Sequence, residues 1–156
     1  MPVSVRDGDL LDQQVDAIVN AWNRNVIPWW LLIPQGVSGA IKRRAGLAPF
    51  RELARAGAIP LGGAVATGAG RLPYRAIIHV AGIDMLWRAS AESIRGSVRS
   101  ALVVAAGLGV STLAMPIIGA GSGGFDEDSA LALILAELQA ASPAIEVTIV
   151  RYRPRA

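Results

Sequence analysis

The sequence predicts an α/β sandwich around a mainly parallel sheet, and three observations carry that expectation. Apolar runs of strand length alternate with amphipathic stretches of helix length over most of the 156 residues. Glycine-rich connections follow strand signals and lead into helix signals. Hydrophobic residues make up 53% of the chain and charged residues only 17%, which suits a sheet covered on both faces.

The first strand signal is Val3 to Arg6, and the second, "VDAIVNA", is the continuous apolar run of a buried strand. The stretch "NRNVIPWWLLIPQG" that follows reads as a connection, because Pro28 and Pro34 break it, yet it carries Trp29, Trp30 and a run of aliphatics. "VSGAIKRRAG" has helical character and ends at Gly46; "APFRELARAG" reads as a short helix stopped by Gly57. "GGAVATGAG" and "YRAIIHVAG" are strand candidates, the second dense in β-branched residues. From Ala89 to Gly107 the pattern is a long amphipathic helix, with Ile94, Val98, Leu102 and Ala105 on one stripe and Arg88, Arg95 and Arg99 away from it. "VSTLAMPII" is a strand running into a glycine loop. "DEDSALALILAELQAA" is a helix whose acidic start suits the positive end of its dipole, and "IEVTIVRY" closes as a strand. With no repeat or linker in view, residues 1–156 are expected to form one domain.

Composition narrows the chemistry. The chain has no cysteine and a single histidine, His79, which excludes disulfides, thiol nucleophiles and multi-histidine metal sites. Catalysis would fall to carboxylates, amides, hydroxyls and backbone. No run approaches the roughly 20 apolar residues of a membrane span, and "MPVSVRDGD" lacks the apolar segment of a signal peptide, so a cytoplasmic protein is expected. Fifteen Lys and Arg against twelve Asp and Glu give a net charge of +3, a mild bias towards anionic ligands that a solvated surface also explains.

Two glycine loops point to a ligand. "PIIGAGSGGFDED" places Gly119, Gly121, Gly123 and Gly124 after a strand and before a helix, where backbone amides can approach a bound group and the helix dipole adds positive charge. "PQGVSGAIKRR" repeats the arrangement with Gly36 and Gly39. Either loop alone is equally a tight turn that binds nothing. Both at the C-terminal ends of neighbouring parallel strands favour a diphosphate held between them.

Taken in order, "GDL" from Gly8, "VDAIVNAWN", "GVSGAIKRRAG", "GGAVATGAGRLPYRAIIHVAG" and "MPIIGAGSGGFD" resemble the landmarks of a macrodomain, the ADP-ribose-binding module, over nearly the whole chain. The resemblance implies a three-layer α/β/α fold around a mixed six-stranded sheet, with ADP-ribose across the C-terminal ends of the central strands. It implies that Asp9 accepts the adenine amino group with backbone support near Leu10, and that Tyr152 stacks on the adenine. Asn20 would open the first ligand loop and Asn23 would address the distal ribose. Gly36, Val37, Ser38 and Gly39 would form one diphosphate wall, and Gly119, Ala120, Gly121, Ser122, Gly123, Gly124 and Phe125 the other. Trp29 and Trp30 would hang over the distal ribose, either closing on the ligand or packing inward.

Two departures bear on catalysis. Ser38 stands where many hydrolytic macrodomains have aspartate, and the strand "AIIHVAG" lacks the lysine of the branch that the second loop resembles, which removes ADP-ribose from proteins or DNA bases. Asp126 matches a carboxylate of that branch and could stabilise positive charge developing on the ribose, while "FDEDSALAL" also reads as an ordinary helix cap. Asn23 could orient water or a hydroxyl without acting as a base. Asn23, Ser38 and Asp126 are therefore the catalytic candidates. The expected activity is hydrolytic release of ADP-ribose from protein carboxylates, thymidine in DNA, or both, by a monomer without metal or cofactor. An ADP-ribose reader without turnover, a deacetylase of O-acetyl-ADP-ribose, and a phosphatase or general nucleotide-binding protein are the alternatives.

Overall fold

The computed structural model describes residues 3–32, 36–121 and 123–153. Its strands are β1 (Val3–Gly8), β2 (Ala17–Trp22), β3 (Ala64–Thr67), β4 (Ala76–Ala81), β5 (Thr112–Pro116) and β6 (Glu146–Tyr152). Its α-helices are α1 (Gly36–Ala45), α2 (Ala48–Arg55), α3 (Ala91–Leu108) and α4 (Glu127–Ala141). The strands form one sheet in the order β1-β6-β5-β2-β4-β3, parallel throughout except for β3, which pairs antiparallel with β4 at the edge. The fold is thus the three-layer α/β/α sandwich with a mixed six-stranded sheet.

Period-two alternation splits the central strands between two cores. Ala17 and Val19 of β2, with Ile78 and Val80 of β4, face Ile94 and Val98 of α3 and Ile134 of α4. Ile18 and Trp22 of β2, with Ile77 of β4, face Ile41 of α1 and Phe50 and Leu53 of α2. Both α1 and α2 thus cover one face of the sheet, and α3 and α4 the other.

Helix ends follow their chemistry. Ser90 and Ser93 form a reciprocal capping box at the start of α3, and Gly109, in the left-handed region, closes it. Within α3, Ile94, Val98 and Ala105 are buried as the stripe requires. Leu102 is only half-buried, because Ala101 occupies the contact face in its place. The connection from β2 to α1 is longer than a simple turn: a 3-10 turn, Trp29–Leu31, lies between them.

Candidate functional site

The topology opens a crevice beside β2. The chain leaves β2 towards α1 on one face, but leaves the neighbouring parallel strand β5 towards α4 on the other. Oppositely directed exits from adjacent strands make a switch point, and the space between them is a cleft of about 530 Å³ including its open mouth.

One wall is the start of α1: Gly36, Val37 and Ser38. Gly36 takes a φ of 58°, which lets the chain turn into the helix. The first-turn amides of Gly36 and Val37 precede any intrahelical acceptor and lie at the positive end of the helix dipole. The opposite wall is the β5–α4 loop, with Ile118, Gly119, Gly121 and Gly123. Ala120 N–H donates to Ile117 O, Gly124 N–H to Gly121 O and Phe125 N–H to Gly119 O, at 3.2, 3.2 and 3.0 Å. These bonds close the loop without using the amides of Gly119, Gly121 or Gly123.

The glycines of that loop serve different ends. A Cβ on Gly123 would lie 2.7 Å from Gly119 O and 2.8 Å from Ala89 Cβ, so packing demands glycine there. A Cβ on Gly121 would meet nothing within 4 Å. Gly121 therefore borders open space in the cleft.

Of the expected site residues, Gly36, Val37, Ser38, Gly119, Gly121 and Gly123 meet in the cleft. Ser122 lies outside the described residues. Gly39 is buried within α1, Ala120 and Phe125 pack half-buried against the α3–α4 core, and Gly124 stands exposed at the loop's exit. Leu10 is a core residue at 5% exposure, its side chain packed inward. Asp9 and Tyr152 come together at the far edge: Gly8 pairs with Tyr152 in the β1–β6 register, and Asp9 follows directly. Asp9 Oδ1 accepts from Leu11 N–H, and Tyr152 is largely exposed.

Asn20 requires a correction. It sits inside β2, fully buried on the α1–α2 face, and its Nδ2 donates to His79 Nδ1 at 2.9 Å. A side chain directed into that core reaches no ligand. Because Asn20 Nδ2 can only donate, Nδ1 of the neutral imidazole accepts and Nε2–H donates to Thr67 Oγ1 at 2.8 Å; Thr67 Oγ1 in turn donates to Gly68 O. Burial pushes the His79 pKa down to about 3. Asn20 Oδ1 is left as a buried acceptor without a partner among the described residues.

The catalytic candidates divide. Ser38 lines the cleft. Asn23 does not; it is buried, and its Oδ1 turns back to accept from Asn25 N–H at 2.7 Å. Asp126 caps α4, its Oδ2 accepting from Ser129 N–H and Oγ–H, and these bonds hold its carboxyl below the usual range. Among the described residues, no acid or base lines the cleft.

The tryptophans part company. Trp29 turns inward, 6.3 Å from the Phe50 ring, and Lys42 Nζ, itself nearly buried, donates to Trp29 O at 3.4 Å. Trp30 turns outward and is 67% exposed. Neither reaches the cleft wall. The indole that does belongs to Trp22, held by its Nε1–H donating to Asn25 Oδ1.

Sequence reasoning missed Trp22, and also the third wall, Gly82 and Ile83 after β4. The available signal was the glycine ending "AIIHVAG", a third glycine at a strand exit. A Cβ there would lie 2.9 Å from Ile118 Cγ2, so glycine lets the two loops meet.

Comparison with known proteins finds relatives of this fold. The family described as Macro domain matches residues 19–134. A Streptomyces griseus macro domain-containing protein is 39% identical over 154 residues, covering 93% of this chain and 84% of its own. The chain spans only 38% of a 34% identical, uncharacterised Mycobacterium tuberculosis protein. Among solved structures, a Trypanosoma brucei macrodomain in complex with ADP-ribose superposes with a TM-score of 0.81 at 27% identity, over 96% of this chain and 63% of that one. An Oceanobacillus iheyensis macrodomain with ADP superposes at 0.80 and 27%, over 97% and 83%.

Proposed function

From the premise that this chain belongs to the Macro domain family, we propose that it binds ADP-ribose in the cleft and releases it from modified proteins by hydrolysis. The observation that carries the reading is the meeting of two glycine-rich strand exits, Gly36 to Ser38 on one side and Gly119, Gly121 and Gly123 on the other, in one crevice. A diphosphate bridging them receives backbone N–H groups from both sides and the dipole of α1. Adenine then extends towards Asp9 and Tyr152 beyond β6, and the distal ribose towards β2 and β4. The similar chains solved with ADP-ribose and with ADP support this ligand class.

The chemistry follows from a cleft without acid or base. In ADP-ribose esterified to a protein carboxylate, water adds at the anomeric carbon as the bond to the acyl oxygen breaks. The acyl group departs as a carboxylate and needs no proton; the water's proton passes to a ligand phosphate oxygen and on to solvent. The protein holds the ligand in reacting geometry, Ser38 helps seat the water, and Asp126, which caps α4 outside the cleft wall, acts on the ribose only through the field of its charge. A base-linked substrate releases a ring-nitrogen anion, a poorer leaving group than a carboxylate when no acid is at hand, so protein carboxylates fit this cleft better than thymidine. O-acetyl-ADP-ribose presents a similar ester to the same pocket. Hydrolysis is redox-neutral, and the reading includes no metal or cofactor and places the protein in the cytoplasm as a monomer.

The same lack of a cleft acid or base favours a second reading, an ADP-ribose reader without turnover. Calorimetric titration with ADP-ribose, followed by incubation with glutamate-linked ADP-ribosyl protein and thymidine-linked ADP-ribosyl oligonucleotide, separates the two. Binding with release from the protein is expected. Binding with no release from either substrate makes the protein a reader; tighter binding of ATP than of ADP-ribose would point to a general nucleotide site.

A further inference from the structure

Eleven large hydrophobic residues are exposed among the described residues, and six of them gather at one end of the sheet. Val26, Trp30 and Leu31 follow β2, and Met85 and Leu86 follow β4. Leu61 lies on a segment fastened to both strand ends, by Ile59 N–H to Arg24 O at 2.7 Å and Gly62 N–H to Ala81 O at 2.8 Å. Trp22 and Ala81, at the ends of β2 and β4, are register partners. The three segments thus emerge together beside the cleft walls formed by Trp22, Gly36 to Ser38 and Gly82. Strand order puts this end away from β1 and β6, on the side of the distal ribose.

Both main displays are held in place. Asp84 Oδ1 accepts from Leu86 N–H and Arg88 N–H at 2.8 and 3.0 Å, and Asp84 N–H donates to Arg88 O. This closed turn keeps Trp87 at a φ of 64°, a conformation that bulky residues rarely adopt. Across the mouth, Asn25 Nδ2 donates to Leu53 O and Gly57 O, each at 2.8 Å, and Trp29 anchors the stretch against Phe50. Apolar side chains presented on fixed backbone suit recognition, because little ordering remains to be done on binding.

We propose that this apolar rim recognises apolar residues flanking the ADP-ribosylated side chain of a protein substrate. The inference rests on the ADP-ribose reading above and names the substrate class. Charge decides the kind of partner. Residues 24–32, 57–63 and 82–88 carry only Arg24, Asp84 and Arg88 as charged side chains, and Arg24 Nε already donates to Ile59 O. A nucleic-acid strand brings a phosphate with every nucleotide and calls for a row of cations. This rim instead offers hydrocarbon with only two arginines and one carboxylate, too few cations to follow a phosphate backbone and better suited to a polypeptide.

The test uses peptides bearing ADP-ribose on one glutamate through a hydrolysis-resistant link, flanked by Leu and Ile or by Ser and Gly. Free ADP-ribose and an ADP-ribosylated oligonucleotide are titrated in parallel, against the whole chain and its Leu31→Ser/Leu86→Ser variant. Free ADP-ribose is expected to bind both proteins equally. The apolar-flanked peptide is expected to bind wild type about tenfold tighter than the polar one, and the variant to lose that preference. Intact ADP-ribose binding with no effect of the flanks overturns this inference alone. Absent ADP-ribose binding overturns the functional reading and this inference with it. An oligonucleotide affinity that falls in the variant, or a wild-type dimer in light scattering that the variant abolishes, assigns the rim to another partner and overturns the proposal.

Discussion

Gly121 and Gly123 stand two residues apart in one loop and answer to different demands. Gly123 is crowded by Gly119 O and Ala89 Cβ, so Gly123→Ala must move backbone and is expected to lower stability by about 1–3 kcal/mol in urea denaturation. Gly121 faces the cleft with space around it, so Gly121→Glu is expected to leave the denaturation midpoint near wild type. The added carboxylate would fill and repel the diphosphate position, abolishing the calorimetric signal for ADP-ribose. Equal loss of stability in both variants would contradict the distinction.

Two helix starts couple secondary structure to the site. Ser93, buried in the first turn of α3, donates its Oγ–H to Gly82 O at 2.8 Å and so ties the helix to the third cleft wall. Ser93→Ala leaves that carbonyl without its donor, at an expected cost of about 1–3 kcal/mol measured by chemical denaturation, with weaker ADP-ribose binding. At α4, Asp126 serves as the cap. Asp126→Asn retains an oxygen for Ser129 N–H but loses the charge; the expected result is little change in Tm or ADP-ribose affinity and slower ADP-ribose release. Asp126→Ala loses the cap as well and is expected to lower Tm. Release at the wild-type rate from the Asn variant would confine Asp126 to capping.

Stability of the whole molecule should depend on pH through His79. The folded state keeps its imidazole neutral down to about pH 3, whereas the unfolded chain takes up a proton near the ordinary value of 6.5. The unfolded state therefore binds more protons across that window, and the sign is fixed: full stability above pH 6.5, declining as pH falls towards 3. The slope reaches up to about 1.4 kcal/mol per pH unit. Asp16, Asp84 and Asp126, all held below the usual carboxylate range mainly by backbone N–H donors, add losses in the same direction, but only as pH falls below their unfolded value of 3.8. Urea denaturation from pH 7 to pH 4 checks this, and His79→Gln is expected to flatten the profile between pH 6.5 and 4.5.

The order of strands and helices, the parallel character of most of the sheet and the two glycine walls were legible in the chain itself, because each depends on local periodicity and local backbone freedom. Trp30 and Trp29 show where such reading stops. Adjacent in sequence and identical in chemistry, they differ because Phe50 and Lys42, brought up by α2 and α1, offer a seat to one indole only. Asn20 shows it too. The apolar run "VDAIVNA" reads as strand through Asn20, whereas the family resemblance implies that Asn20 opens a ligand loop; pairing with His79 of β4 keeps it within β2 and turns its amide into the core.

Short stretches of chain thus settle the succession of elements and the two places where main-chain amides can gather, since both are properties of a few consecutive residues. It takes the folded arrangement to bring these places into one crevice with Gly82 and Trp22, to turn Asn23 and Asn20 away from it, and to gather apolar side chains on its rim. Those outcomes depend on which strands are neighbours and which face each crossover covers, contacts between residues far apart in the chain that no local pattern encodes.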